Sequence, residues 1–414
     1  MSPRAGIDLD EVRDVVASLD AAVAPVAHAS SLPPECYTSE SFWAFEREAV
    51  FGHSWFCVGR LEEVPQPGDW FSIDVAGEPL LVVRGEGDEV HVLSNVCTHR
   101  HHLVAEGRGH VERYFRCPLH SWAFEPDGTL AHPTGMHATE DFDASQWCLP
   151  RLRTEVWHGF VFANHDPDAA PLAPSLARLE PEMRAHGVAY LRTTPVEETA
   201  VFPWNWKTMH EGGIEPFHTH FLHKGVHDFA PWPELDDARP GEGMVMHATR
   251  FREPDQSFNP IWKALFPPLP GLSEEQRQRV TFVALLPTLY FGLMPDHVFW
   301  LLILPEGPDG MRLRQGYLLH PTAWEVPNVE HRIQWIADGL SAYFVDDASA
   351  NASIQRGRSS RYARPGRYAA EEAPLPHLNR WLAARYRDEW ARLTGEVPAT
   401  AVPAPRPSNL TPVP

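Results

Sequence analysis

Two short segments, separated by 17 residues, each offer one cysteine and one histidine as metal ligands. The first reads Cys97-Thr98-His99 and the second Cys117-Pro118-Leu119-His120. A zinc finger with two cysteines and two histidines places both cysteines in one segment and both histidines in the other. Here the two residue types alternate. The spacing therefore constrains the fold strongly. Two loops must meet at one site that holds two thiolates and two imidazoles.

This alternation suits a [2Fe–2S] cluster in which one iron takes the two thiolates and the other takes the two imidazoles. Two neutral imidazoles in place of two thiolates raise the reduction potential well above that of an all-cysteine cluster. Such a cluster can accept electrons from a reductase and pass them to an oxygen-activating iron. A zinc site built from the same four residues is the alternative.

The composition excludes several other classes of protein. The balance of 35 Lys and Arg against 55 Asp and Glu gives a net charge of −20, which argues against binding to nucleic acid or anionic membranes. The acidic N-terminus has no apolar core followed by a cleavage site, so we expect a cytoplasmic protein. The remaining cysteines, Cys36, Cys57 and Cys148, have no histidine at ligand spacing, and we expect buried apolar thiols without disulfides.

A chain of 414 residues is long enough for two domains. We predict a helix and lead-in over 1–40, a small β domain over 41–165, a mixed domain over 166–397 and a disordered Pro-rich tail over 398–414. In the first part, a helix is expected over 8–24. Strands are predicted at Trp70–Val75, Pro79–Arg84, Val90–Asn95, Tyr114–Arg116, Ser121–Glu125 and Val156–Asn164.

The second domain combines apolar strands with a long helix. The helix is predicted from about Asn328 to Gln355. The sequence contains neither a Gly-rich dinucleotide fingerprint nor a P-loop, so we do not expect binding of NAD, FAD or ATP. The strands are apolar on both faces and are predicted at Gly243–Phe251, Val280–Leu286, Leu289–Met294, Val298–Leu304 and Arg312–Leu319.

A segment rich in histidine and acidic residues opens this second domain. Residues 205–223 read NWKTMHEGGIEPFHTHFLH. Residues five apart on an unbroken helix lie about 140° apart, so His218 and His223 can share a site only if the chain bends between them. The neighbouring histidines, His210, His220 and His227, are interpreted as solvated surface residues.

Both motifs resemble those of Rieske non-haem iron oxygenases, in the α (terminal oxygenase) subunits of the aromatic-ring-hydroxylating family. The first motif, with Arg100 after His99 and Ser121-Trp122 after His120, resembles the Rieske motif. The segment from Glu215 to His223 resembles that family's iron-binding segment, and the likeness spans about 40–365. It implies an α+β fold, in which an all-β Rieske [2Fe–2S] domain precedes a catalytic domain with an antiparallel sheet surrounded by helices.

The resemblance also implies a mononuclear Fe(II) held by His218, His223 and one carboxylate. The apolar stripe of the long helix, from Ile333 through Phe344, reaches Asp347 and then Asn351 and Ile354 when it is continued by three and four residues. An ionised Asp on a buried face is costly unless it is paired or metal-bound. Asp347 is therefore the preferred ligand and Asp346 the alternative.

In the family, an acidic residue at the position of Glu215 links the two metal centres by hydrogen-bonding a Rieske histidine of one subunit and an iron-ligand histidine of the next. The resemblance therefore implies a head-to-tail homotrimer. It also implies an NAD(P)H-dependent reductase, with or without a ferredoxin, as the electron donor. Two alternatives of other classes are a Rieske electron carrier without oxygenase activity and a zinc-binding structural protein.

The substrate class stays open at the level of sequence. The segment from Glu211 to His223 resembles phthalate-type oxygenases, whereas Glu at position 215 resembles enzymes that oxidise choline or demethylate betaines. We expect an aromatic or cyclic substrate first and a quaternary ammonium compound second, since aromatic walls suit both. The candidate wall residues are Trp262, Phe266, Phe282, Tyr290, Phe291, Phe299 and Trp300.

Overall fold

The computed structural model describes residues 6–87, 89–235 and 242–396. The predicted Pro-rich tail lies outside the described residues. Helices are α1 Leu9–Ser18, α2 Glu35–Thr38, α3 Glu40–Glu46, α4 Leu172–Ser175, α5 Glu180–Ala185, α6 Trp206–Ile214, α7 Thr219–Leu222, α8 Val226–Phe229, α9 Val329–Arg358 and α10 Leu375–Thr394. None of the described helices is both long enough and apolar enough to cross a bilayer.

The first sheet is entirely antiparallel and is ordered β1-β10-β9-β4-β3-β2-β5, and a second, small sheet is ordered β6-β7-β8. Buried Leu and Val side chains of β3 and β4 pack on both faces of the first sheet. The strands are β1 Phe56–Arg60, β2 Asp69–Val75, β3 Glu78–Arg84, β4 Val90–Ser94, β5 Arg108–His110, β6 Phe115–Arg116, β7 Ala123–Phe124, β8 Leu130–His132, β9 Arg151–Trp157 and β10 Phe160–Asn164.

The prediction of one strand over Val156–Asn164 is wrong, because this stretch is the turn and second arm of a hairpin. The first arm, β9, begins earlier, at Arg151. His158 and Gly159 have φ of 47° and 81°, and Phe160 pairs directly with Trp157. Two residues at positive φ form the turn that matches the twist of antiparallel strands. The turn was not predicted because apolar residues on both sides of it resemble one continuous strand.

The second sheet is also antiparallel, is ordered β11-β18-β17-β16-β15-β14-β13, and has β12 paired to β18. Every residue of β16 is buried, as expected for a sheet covered on both faces. The predicted α+β fold is confirmed. The strands are β11 Arg192–Thr193, β12 Glu197–Glu198, β13 Trp232–Leu235, β14 Met244–Arg250, β15 Arg279–Leu285, β16 Leu289–Leu293, β17 His297–Pro305 and β18 Met311–Leu319.

Helices α6 and α9 bring the histidine-rich segment and the acidic pair to one side of this sheet. Helix α6 packs against β15 and β17, and it also contacts α9. The expected apolar stripe of α9 is wrong at its end, because Ile354 is exposed whereas Gln355 is buried. The buried Gln355 amide accepts a hydrogen bond from the Asn205 N–H and donates one to the Tyr37 carbonyl. It ties α9 to the start of α6.

The two sheets are joined by buried contacts. The Thr288 hydroxyl accepts a hydrogen bond from the Cys57 N–H at 2.8 Å and donates one to the Cys57 carbonyl at 3.0 Å. Beside it, the Arg314 guanidinium pairs with the buried Glu63 carboxylate at 2.5 Å. Buried, hydrogen-bonded charge pairs of this kind fix the relative orientation of two elements, because breaking them leaves an uncompensated charge.

Candidate metal centres

The four residues of the first motif lie on two loops beside the small sheet. One loop precedes β5 and the other joins β6 to β7. Both thiols, Cys97 and Cys117, are buried, and they interact electrostatically with each other. The rings of His99 and His120 lie 4.8 Å apart, centroid to centroid, and His120 is exposed. Thiols pair with each other and imidazoles with each other, so the donor set fits a cluster whose imidazole-bound iron faces outward.

The loop tip around His120 is partly apolar. Trp122 is buried, and its indole stacks on His99 at 4.7 Å with the planes 8° apart. Leu119 and Trp147 are exposed large side chains near the histidines. His101 and His102 are also exposed, and Cys148, which was expected to be buried, is partly exposed. Exposed apolar side chains around an exposed redox edge are typical of a surface that meets a protein partner.

The second motif bends as expected. Helix α6 ends at Ile214, and His218 and His223 flank the single turn α7. Their Nε2 atoms lie 3.6 and 3.0 Å from the same Asp347 Oδ1. One ligand atom from each of His218, His223 and Asp347 lies within 4.8 Å of the others. Two imidazoles and one carboxylate that converge on one side leave positions open for other ligands of an iron.

Glu215 orients the first of these histidines. Its carboxylate lies 3.1 Å from His218 Nδ1 and accepts a hydrogen bond from the His218 N–H at 3.0 Å. Burial acts to lower the pKa of His218, but the hydrogen bond and charge of Glu215 and the charge of Asp347 outweigh it, so the pKa is raised. The two carboxylates therefore favour a positive charge at the imidazole, as a bound metal cation would supply.

Asp346 is placed differently from its neighbour. Its carboxylate is about half exposed and lies 3.7 Å from His223 Nδ1, on the side away from Asp347. The helical position thus separates the two acids of the pair. The expectation that His210 is a solvated surface residue is wrong: His210 is fully buried, with Nε2 2.8 Å from the Pro287 carbonyl, and burial lowers its pKa to about 4.

The start of α6 is anchored by a buried ionic network that the sequence did not reveal. Lys207 donates to both oxygens of the Glu46 carboxylate at 2.7 and 2.8 Å, and all these atoms are buried. The Trp206 indole and the Tyr386 hydroxyl also donate to Glu46. The network joins α3, α6 and α10, and so it fixes the helix from which the histidine segment departs.

A cavity of about 390 Å³ adjoins the triad. Its walls come from α6, α9 and the sheet, and Gly213 permits the close approach of one wall: a Cβ there would lie 2.8 Å from the Tyr290 ring. The Tyr290 hydroxyl instead donates to the Gly213 carbonyl at 2.7 Å. Among the described residues that line the cavity there is neither Lys nor Arg, whereas Glu215 and Asp347 are both present.

The aromatic wall differs in part from the predicted one. Of the expected residues, Phe282, Tyr290, Phe299 and Trp300 line the cavity. Phe291 faces the opposite side of β16 and packs on Phe160, as the alternation of side chains along a strand requires. Trp262 and Phe266 also lie outside the lining. Several rings that were not predicted as walls also line the cavity: His227, His247, Phe258, Tyr317, Tyr343 and Phe344.

Two family models match the chain in sequence. Residues 54–143 match the Rieske [2Fe-2S] domain, and residues 183–388 match the ring hydroxylating alpha subunit (catalytic domain). The chain belongs to the Rieske ring-hydroxylating oxygenase family. As a Rieske oxygenase, it is an oxidoreductase that incorporates oxygen, with a [2Fe–2S] cluster and a mononuclear iron as cofactors.

This Rieske oxygenase is similar over most of its length to curated proteins. It is 26% identical to the carnitine monooxygenase oxygenase subunit of Escherichia coli (strain K12), over 86% of this chain and 94% of that protein. It is 24% identical to the chloroplastic choline monooxygenase of Arabidopsis thaliana, over 90% of this chain and 86% of that protein.

The fold is shared with solved Rieske oxygenases of different specificity. A quaternary ammonium Rieske monooxygenase superposes with a TM-score of 0.72 at 24% identity, covering 90% of this chain and 98% of that one. Naphthalene 1,2-dioxygenase from Rhodococcus sp., bound to indole, superposes with a TM-score of 0.70 at 20% identity, covering 92% and 98%. At these identities the likeness establishes the fold and leaves the substrate open.

Proposed function

We propose that this protein is the terminal oxygenase that monooxygenates a small quaternary ammonium compound. The observation that carries the proposal is the cavity beside the triad. Its wall is aromatic, its charged groups include two carboxylates, and its described lining has no Lys or Arg. The curated relatives bear the names of enzymes for carnitine, glycine betaine and choline. Together these support a cationic substrate ahead of the aromatic one expected from the sequence.

The aromatic rings form a continuous surface that begins at the triad. Tyr343 lies 5.4 Å from His223, and Phe258 lies 5.7 Å from Tyr343, measured between ring centroids. From Phe258 the surface continues to Phe282 at 6.1 Å. A quaternary ammonium has no N–H to donate, so it is recognised through the negative faces of such rings. The aromatic wall would thus bind the cation beside the three residues that would hold the iron.

We propose His218, His223 and Asp347 as iron ligands and Cys97, His99, Cys117 and His120 as cluster ligands. We further propose that residues 41–165 form the Rieske domain and 166–397 the catalytic domain. When bound, the cluster supplies electrons to the iron, and the iron activates O2. One oxygen atom enters a C–H bond of the substrate and the other leaves as water, with two electrons and two protons consumed. A separate NAD(P)H-dependent reductase, with or without a ferredoxin, supplies the electrons.

The substrate assignment is tested with a matched pair of compounds that differ only in charge. Choline and 3,3-dimethylbutanol have the same shape, but the second carries a tert-butyl group in place of trimethylammonium. Calorimetry on the holoenzyme should show choline binding about 30-fold more tightly, as expected for a desolvated cation on aromatic faces. Choline should also stimulate O2 consumption when NADH and a reductase are present, whereas NADH with this protein alone should give no turnover.

An aromatic substrate is the second candidate, since the walls of Phe282, Phe299 and Trp300 are apolar. Equal binding of choline and its neutral analogue, together with product formation from naphthalene or indole, would favour this candidate over the first. Tyr343→Leu separates them further. It should weaken choline binding because it removes a cation-binding face, yet it should leave the affinity for a neutral hydrocarbon nearly the same.

The cluster ligands are tested by removing one donor at a time. Cys97→Ser and His120→Ala should each abolish the Rieske EPR signal, because a four-ligand site rarely survives the loss of one ligand. Two neighbours serve as controls. Cys148→Ser removes a thiol that packs on the same core, and His102→Ala removes an exposed imidazole from the loop that carries Cys97 and His99. Both controls should keep the signal, and a normal spectrum in Cys97→Ser and His120→Ala would refute the assignment.

We also propose that the chain assembles as a head-to-tail homotrimer. Exposed apolar residues lie near each metal centre: Leu119 beside the Rieske histidines, Phe221 in the turn between His218 and His223, and Val345 beside the acidic pair. Such matched patches support contact between the Rieske tip of one copy and the triad face of the next. A heterologous contact of this kind closes into a ring when the rotation permits.

A further inference from the structure

His247 is a buried histidine in the cavity that the fold does not hold by hydrogen bonds. It lies on β14, its residue is 5% exposed, and it lines the cavity together with Thr249, two residues further along the strand. Its ring stacks on Phe282 with centroids 4.8 Å apart and planes 20° apart, and the two residues pair in register across β14 and β15. Packing therefore fixes the ring at one wall.

Neither ring nitrogen of His247 makes a hydrogen bond to a described residue, and Nδ1 is buried without any partner. Two other buried histidines, His297 and His186, differ. His297 Nδ1 lies 2.7 Å from the Asp296 carboxylate, and His186 Nδ1 lies 2.8 Å from the Glu182 carbonyl. Burying a polar group without a partner costs free energy. If this position served packing alone, an apolar ring would therefore stabilise the fold at least as well as histidine. The unused imidazole points to a partner that enters the cavity.

Apart from the histidines, Glu215 and Asp347, the polar side chains of the wall are uncharged. Thr249 and Gln315 line the cavity, and the described lining contains no Lys or Arg that could neutralise a carboxylate. Burial above all, and then the charge of His218, lowers the pKa of His247 to about 3. Its imidazole is therefore neutral near pH 7, and it can donate a hydrogen bond from one nitrogen and accept one at the other.

We propose that His247 is a specificity-determining residue that hydrogen-bonds an uncharged oxygen of the substrate. The substrate is then a trimethylammonium alcohol or a related cation with a neutral oxygen, and not a zwitterion with a carboxylate. This inference rests on the proposed function, since the aromatic wall must hold the cationic end. It specifies the chemical group at the other end of the substrate and the side chain that binds this group.

The test compares the binding of three trimethylammonium compounds to the wild-type holoenzyme by calorimetry. Propyltrimethylammonium replaces the hydroxyl of choline by a methyl group, and glycine betaine replaces the alcohol by a carboxylate. Choline should bind about tenfold more tightly than propyltrimethylammonium, because one neutral hydrogen bond is lost. Glycine betaine should also bind more weakly than choline. Tighter binding of glycine betaine than of choline would overturn the inference.

Variants at His247 then locate the hydrogen bond. His247→Leu should weaken choline about tenfold, leave propyltrimethylammonium unchanged, and raise KM with little change in kcat. His247→Gln, which keeps a donor and an acceptor, should restore part of the preference. Met246→Leu, on the opposite face of β14 and outside the cavity lining, is the control and should leave all three affinities unchanged. Iron content and the visible cluster spectrum should match wild type, so that lost folding is recognised.

Two outcomes separate this inference from the proposed function. If His247→Leu weakens the binding of all three trimethylammonium compounds equally, His247 has only a packing role and the inference fails, while the cationic substrate stands. If the wild-type holoenzyme binds no trimethylammonium compound at all, the proposed function and the inference fail together. A wild-type protein that does not distinguish choline from propyltrimethylammonium also refutes the inference, without requiring any variant.

Discussion

Asp347→Ala, His218→Ala and His223→Ala proteins will each lose about one iron per chain and all measurable product formation, while the visible Rieske spectrum persists. The reason is geometric: both imidazole Nε2 atoms converge on one Asp347 oxygen, at 3.6 and 3.0 Å. Loss of an outer partner of a metal ligand already costs about 10- to 100-fold in metal affinity, so loss of a ligand will cost more. Metal analysis and a coupled oxygen assay measure both effects.

Asp346→Ala is the matched control, since it removes the same group one residue away. Asp346 is about half exposed and lies near His223 Nδ1, on the other side of the ring from the atom that faces Asp347. The control protein should keep its iron and at least half of its activity. If Asp346→Ala loses the iron and Asp347→Ala does not, the wrong member of the acidic pair has been assigned.

Both groups of candidate ligands could be picked out in the sequence because their members follow a characteristic spacing. The Cys-His pairs lie on two short loops, and His218 and His223 flank one turn, so few long-range contacts are needed to interpret them. Asp347 was selected as a candidate ligand from the helical periodicity of apolar residues, which the structure follows over about four turns of α9. The same periodicity failed at Ile354 and Gln355 because a tertiary hydrogen bond to Asn205 decides which of them is buried.

The cavity, by contrast, could not be predicted. Its walls combine strands β13 to β18 with helices α6 to α9, so the set of lining residues depends on strand order and register. His247 faces the cavity because β14 pairs with β15 in one particular register, and a shift by one residue would turn it away. Polar groups inside a sheet core depend on such tertiary choices, and a single sequence offers no signal for them.

The second large effect is expected at Glu215. Glu215→Gln should keep the cluster and most of the iron, yet slow electron transfer to the iron about a hundredfold or more. Its carboxylate accepts from the His218 N–H and lies 3.1 Å from His218 Nδ1. The amide of the Glu215→Gln variant has only one oxygen that can accept a hydrogen bond. Its NH2 group would therefore face a donor, either on His218 or on His120 of the neighbouring subunit, which we propose as the second contact of Glu215.

Single-turnover oxidation of a pre-reduced cluster, with O2 and substrate present, measures this step directly. Glu372→Gln is the control. Burial above all, and then the charge of the nearby Glu215, raises the pKa of Glu372, and this carboxylate forms no hydrogen bond with His218. Cluster oxidation should be near wild type in Glu372→Gln and slow in Glu215→Gln. Near-wild-type oxidation in both would show that Glu215 does not connect the two centres.

Mixed assemblies decide whether the electron crosses between subunits. His120→Ala leaves a subunit with a working iron and no cluster, and Asp347→Ala leaves one with a working cluster and no iron. Each alone should be inactive. Co-expressed in equal amounts, they should recover about a quarter of wild-type activity. Only half of all subunits hold iron, and in a randomly mixed head-to-tail ring half of these lie next to a subunit that holds a cluster. Transfer within one chain would give no recovery, since neither chain then carries both centres.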